Sequence, residues 1–139
     1  MDQYLDMLGR IPLFSGLSKG ELREVAQVTT ELRVKAGTEL IRQGSTASEA
    51  FVIVNGEADV TRDGRHLATV GAGQIQGELS LLLDRPRAAA VTAKSDMTIL
   101  DIDRRSFNLL LDDIPMIARK MLPVVAERLA SNAEHQHDT

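Results

Sequence analysis

Gly73-Gln74-Ile75-Gln76-Gly77-Glu78-Leu79-Ser80-Leu81-Leu82-Leu83-Asp84-Arg85-Pro86-Arg87-Ala88-Ala89-Ala90-Val91 places glycines, a carboxylate, a short apolar turn of helix and an arginine at fixed separations. A small phosphorylated sugar needs these parts. Without a Cβ, Gly77 lets the backbone come close to a ligand. Residues Glu78 to Leu83 suit one helical turn whose free N–H groups point back toward that glycine and favour an anion. Arg87 is permanently charged and can hold two phosphate oxygens through parallel N–H bonds. Glu78 would repel a phosphate but can accept hydrogen bonds from sugar hydroxyls.

This stretch resembles the phosphate-binding cassette of the cyclic nucleotide-binding domain family, whose pattern runs roughly G-D-x-F-G-E-L-A-L-L, a spacer, then P-R-A-A-T-V. Gly73, Gly77, Glu78, Leu79, Leu81, Leu82, Pro86, Arg87, Ala88, Ala89 and Val91 match it. Gln74 replaces Asp, Gln76 replaces the aromatic, Ala90 replaces Thr, and Ser80 replaces Ala. The Gln76 exchange removes an apolar anchor beneath the loop. The resemblance extends to Ile11-Pro12-Leu13-Phe14 and to the glycine-punctuated stretches Ala36–Gly44 and Ala50–Glu57, covering roughly residues 8 to 131.

The resemblance implies a receptor for a 3′,5′-cyclic nucleotide, with no catalytic residues and no cofactor. Arg87 would bind the cyclic phosphate with the backbone N–H groups of Leu79, Ser80 and Ala88. Glu78 would hold the ribose 2′-hydroxyl, and Gly77 would give the approach room. Val70 and Leu79 are candidates for an apolar wall, and Arg128 for a side chain that covers the base. In relatives a threonine directly after the arginine accompanies cGMP preference; Ala88 lacks that hydroxyl, so cAMP is the expected ligand and cGMP the second candidate.

The rest of the chain reads consistently with one domain over 1–139. Ser18-Lys19-Gly20-Glu21 has capping-box spacing, predicting a helix from about 18 to 28 after a looser helical segment near 3 to 8. Glycines at 37, 44, 56, 64, 71, 73 and 77 separate short apolar runs, the signature of an antiparallel roll or barrel. Asp63-Gly64 predicts a tight hairpin. Ala88 to Lys94 and Met97 to Ile102 read as two further strands. Asp103 can cap a helix carrying Phe107, Leu110 and Leu111, and Pro115 suits the first turn of a last helix ending near 131. Pro123 should kink or split that helix. The expected fold is therefore mainly β with flanking helices. It is an antiparallel β-roll, or jelly-roll-like barrel, over about 29–102, with N-terminal helices, a short phosphate-cassette helix, two C-terminal helices over about 103–131 and a frayed tail over 132–139.

Composition excludes several classes. With 43% hydrophobic and 26% charged residues, the chain has the balance of a globular domain. A formal net charge of −4 argues against a nucleic-acid partner. No apolar run is long enough for membrane insertion and no signal pattern opens the chain. Cysteine is absent, which fits a cytoplasmic address. A metal needs about three converging ligands; His66 is the only histidine in the roll region, His135 and His137 lying in the polar tail. No nucleophile stands at interpretable spacing from a base.

The chain ends where the family's transcription regulators begin a helix-turn-helix module, so the expectation is a sensor acting on an unknown effector protein in trans, or through self-association. Met121, Val125 and Leu129 form a stripe on the last helix that could pair with a second copy. The competing expectation is an interaction scaffold of the same fold that has lost useful nucleotide binding, motivated by Gln74 and Gln76.

Overall fold

The glycine-punctuated middle of the chain forms eight strands in two antiparallel sheets. The computed structural model describes residues 2–137. A 3-10 turn at Asp2–Tyr4, α1 (Leu5–Arg10), a second 3-10 turn at Pro12–Phe14 and α2 (Lys19–Gln27) precede them. The strands are β1 (Thr30–Val34), β2 (Glu39–Ile41), β3 (Glu49–Asn55), β4 (Ala58–Arg62), β5 (Arg65–Val70), β6 (Ile75–Gln76), β7 (Ala90–Ala93) and β8 (Met97–Asp103). Between β6 and β7 stands α3 (Glu78–Leu83); α4 (Arg104–Asp113) and α5 (Pro115–His137) close the chain. The sheet orders are β1-β8-β3-β6 and β2-β7-β4-β5. This is the flanked β-roll expected from the sequence.

Local chemistry explains the boundaries. Ser18 Oγ accepts from Glu21 N at 3.1 Å while Glu21 Oε1 accepts from Ser18 N at 2.9 Å, so the capping box at the start of α2 is complete. Asp103 caps α4 by accepting from Ser106 N at 2.7 Å. The β4–β5 hairpin turns on Asp63 (φ 52°) and Gly64 (φ 79°), the left-handed pair a two-residue turn requires.

Three apolar clusters place the site. Inside the roll, Ile41, Phe51, Ile53, Ala58, Val70, Val91, Ala93, Met97 and Ile99 pack together. Outside it, Val52 and Leu100 meet the N-terminal helices together with Leu110, Ile114 and Ile117 from the C-terminal end. The third cluster joins Leu81 of α3 to Ala50 and Ile102 of the sheet, Phe107 of α4 and Met121 of α5. Side chains alternate faces along a strand, so Phe51 and Val52 serve opposite cores from adjacent positions.

The last helix runs past its expected end, and at Pro123 it continues without the split that was one of the two outcomes expected there. It runs to His137 rather than ending near 131, so residues 132–137 are helical where a frayed tail was expected; residues 138 and 139 lie outside the described residues. Ala133, Glu134 and Gln136 are good helix formers, which accounts for the extension. Nor does Pro123 split the helix. It removes one backbone bond in a stretch where Leu122 and Val124 are exposed, and the rest of the ladder carries the turn.

Candidate functional site

Gly77 caps α3 in a left-handed conformation (φ 88°, ψ −1°). A Cβ there would stand 2.7 Å from Arg87 Nη1, 3.2 Å from the Glu49 carbonyl and 3.3 Å from Ile41 Cδ1. Both the backbone angle and the space therefore demand glycine. At the other end of α3, Asp84 is also left-handed (φ 52°), and Arg85 N returns to the Ser80 carbonyl at 3.3 Å.

Arg87 is 5% exposed, an unusual place for a guanidinium. Its main chain is held on both sides: Arg87 N donates to the Ser45 carbonyl at 2.9 Å, and Gly44 N donates to the Arg87 carbonyl at 2.7 Å. Its Nη1 donates to the Gly77 carbonyl at 2.8 Å, and its Nη2 donates to the Glu49 carbonyl. Its resting partners are two main-chain carbonyls, because the turn at Gly77 and the start of β3 both aim oxygens at it. Two of its five N–H donors are thus occupied. Burial pushes the guanidinium pKa down, opposed by the nearby charge of Glu49.

Glu78, the first residue of α3, is half-buried as a residue, but its Oε2 is buried without a hydrogen-bond partner. Burial pushes its carboxyl pKa up, while its own backbone amide and the charges of Arg128 and Arg87 pull the other way. An orphaned carboxylate oxygen is costly unless something completes it.

These groups share a cavity of about 360 Å³, lined also by Leu79, Ser80, Ala88 and Arg128. Seven of the eight site residues named from sequence are thereby brought together: Gly77, Glu78, Leu79, Ser80, Arg87, Ala88 and Arg128. Val70 is the exception. It is 7% exposed inside the roll, paired with Ala58, and does not reach the cavity. Three residues away β5 carries a bulge: Val60 pairs with Ala68 and Thr61 with His66, leaving Leu67 unpaired. Leu67, half-exposed, lines the cavity instead. Sequence reasoning also missed Val60, Arg62 and Ile41, which come from strands far from the cassette in sequence; only the sheet pairing brings them there.

The two glutamines behave differently. Gln74 closes the loop before the cassette, its Oε1 accepting from Gly71 N at 2.6 Å. Gln76 stands where the family pattern has an aromatic. A second, mainly apolar cavity of about 530 Å³ opens beside it, between Ile11, Leu13, Leu79, Met121 and Val124.

A left-handed glycine, the start of a short helix, a buried arginine and an unpartnered carboxylate oxygen thus meet on one cavity of a β-roll. The profile of the cyclic nucleotide-binding domain matches residues 31–113. The chain is 31% identical over 119 residues to a cAMP-dependent protein kinase regulatory subunit of Aspergillus niger, covering 84% of this chain and 29% of that protein. The regulatory domain of Toxoplasma gondii PKA, solved with cAMP, superposes with a TM-score of 0.75 at 33% identity, over 81% of this chain and 44% of that one. The catabolite activator protein of Thermus thermophilus gives 0.78 at 27% identity, over 91% and 62%. The chain belongs to the cyclic nucleotide-binding domain family. It spans 26–30% of the length of the first curated relatives it matches.

Proposed function

We propose that the chain is a non-enzymatic receptor for a purine 3′,5′-cyclic nucleotide, with cAMP as a ligand. The observation that carries this reading is the pairing of a buried Arg87 with an orphaned Glu78 oxygen on one cavity. The three unengaged donors of Arg87, with the backbone N–H groups of Leu79, Ser80 and Ala88, bind the cyclic phosphate. Glu78 accepts from the ribose 2′-hydroxyl, which completes its empty oxygen. Gly77 leaves the sugar room, Leu79 and Leu67 flank the base, and Arg128 covers it from α5. Ala88 lacks a hydroxyl for the guanine amino group.

Signalling follows from what α3 touches. Leu81 packs in one cluster with Phe107 and Met121, so tightening of the cassette around a phosphate is felt by α4 and α5. Arg104 adds a polar tie, its Nη2 reaching the Ala47 carbonyl and standing 3.2 Å from Asp84 Oδ1 at the end of α3. A ligand shifts such an equilibrium only by its difference in affinity for the two states. The readout is binding of an effector protein in trans or pairing of two copies through α5, where Leu122, Val124 and Leu129 are 64%, 47% and 43% exposed.

Thermal unfolding with and without nucleotide tests this reading. Ligand at 100 times Kd stabilises a native state by about 2.7 kcal/mol, so cAMP must raise the midpoint by several degrees. The second reading, a scaffold of the same fold without useful nucleotide binding, is favoured by the apolar cavity that Gln76 lines beside the cassette. An unchanged midpoint at millimolar cAMP and cGMP selects it.

A further inference from the structure

The start of the cassette is a wall between two cavities. Ile75, Gln76, Glu78 and Leu79 line both the cavity that holds Arg87 and the larger one of about 530 Å³ beside it. We propose that the larger cavity is a second ligand site, for an uncharged and mainly apolar small molecule, whose occupant opposes nucleotide binding. The site stands on its own geometry; only its effect on the nucleotide rests on the cyclic-nucleotide reading above.

Three elements enclose it. Ile11 and Leu13 come from the 3-10 turn at Pro12–Phe14 and its cap, Ile75 and Leu79 from the cassette, and Met121 and Val124 from α5. Lys120 fixes the distance between the turn and α5. Its Nζ donates to Ser15 Oγ at 2.7 Å, to the Pro12 carbonyl at 3.4 Å and to the Ser15 carbonyl. Two of the three walls are therefore tied together before any ligand arrives.

The lining selects the occupant. Small-molecule sites run to about 300–1,000 Å³ and combine apolar walls with a few polar groups, and this cavity has both properties. The three donors of the Lys120 ammonium already have three acceptors, so no free cation awaits an anion. Glu78 answers to the charges of Arg128 and Arg87 on the nucleotide side. A charged occupant would lie unpaired among apolar side chains, which is costly. One polar group is left: the Gln76 side-chain amide makes no hydrogen bond with another of the described residues. An uncharged ring system bearing a single carbonyl, amide or hydroxyl group fits that lining.

Leu79 carries the coupling, because it faces both cavities and packs beside the cluster that contains Met121. An occupant between Leu79 and α5 holds the cassette where it stands. A phosphate bound by the Leu79 amide draws the same residue toward Arg87. The two ligands therefore weaken each other, and by equal factors, since coupling between binding sites is reciprocal.

Fluorescence titration with prodan, an uncharged naphthalene bearing one ketone whose emission turns bluer in apolar surroundings, tests the site. The wild-type chain should bind one prodan saturably, with a blue shift. Val124→Trp and Leu13→Trp fill the cavity from opposite walls and should each weaken prodan by about tenfold or more, with thermal melts confirming that both proteins fold. Saturating cAMP should weaken prodan by about fivefold or more, and prodan should weaken cAMP by the same factor in calorimetry. Absence of saturable prodan binding, or binding that neither substitution reduces, would overturn the site. Prodan affinity that is equal with and without bound cAMP would overturn the coupling. If cAMP does not bind at all, the receptor reading falls, and the prodan titration still decides the cavity.

Discussion

Replacing Gly77 with alanine should damage fold and site together, through a single methyl group. The residue sits at φ 88°, where an L-residue costs about 1 kcal/mol more than glycine. The new Cβ would stand 2.7 Å from Arg87 Nη1, well inside contact distance, and 3.2 Å from the Glu49 carbonyl. Arg87 must move, giving up its 2.8 Å bond to the Gly77 carbonyl; a hydrogen bond to a charged group is worth about 1.5–3 kcal/mol. The arginine is flexible and partly recovers, so the total comes to about 2–3 kcal/mol. For a domain of this size that lowers the thermal midpoint by about 6–10 °C. The same displacement moves the side chain proposed to bind the phosphate, so nucleotide affinity should fall by at least tenfold, measured by calorimetry below the new midpoint. A Gly77→Ala protein with wild-type midpoint and wild-type affinity would refute both the strained glycine and the packed guanidinium.

Three further outcomes can be checked. Ser18→Ala removes half of the capping box and should lower stability by about 1 kcal/mol in thermal melts, with nucleotide affinity unchanged because α2 lies away from the cavity. Leu81→Ala opens a hole where α3, α4 and α5 meet and should cost about 2–5 kcal/mol in denaturant titration, while also reducing the response of α5 to nucleotide in hydrogen exchange. Burial, then the neighbouring carboxylates of Glu49 and Asp103, push Asp101 up to about 7. A carboxyl raised in the fold favours the native state fully below its unfolded pKa and progressively less as pH rises, so stability should decline between about pH 4 and pH 7 and then level. Asp101→Asn should flatten that slope, which solvent screening holds to about 1 kcal/mol; an unchanged slope would show that Asp101 does not carry the proton.

Much of the fold was legible because its punctuation is local. Ser18 with Glu21 and Asp103 specify boundaries through bonds three residues away, Asp63-Gly64 through backbone angle and Pro115 through its fixed φ, and each element begins or turns where they stand. The cassette was legible for the same reason, since Gly77, Glu78 and Arg87 lie within eleven consecutive residues. What escaped is non-local. The bulge that leaves Leu67 unpaired depends on how β5 pairs with β4, and alternation alone does not reveal it. Arg62 reaches the site only because the hairpin tip lies against the carbonyl of Ala88. The carbonyls that hold Arg87 belong to Gly77 and Glu49, and a main-chain acceptor leaves no mark in a side-chain pattern. The length of α5 was underestimated because polar composition at 132–137 suggests solvent exposure as readily as loss of helix.

Calorimetric titration of cAMP into the wild-type chain and into Arg87→Ala addresses the central claim most directly. Loss of a charge-assisted pair predicts saturable one-to-one binding to the wild type and affinity lower by about tenfold or more in the variant, with thermal melts confirming that the variant is folded. Equal affinity in the two proteins would contradict the account, because the buried guanidinium would then play no part in holding the phosphate.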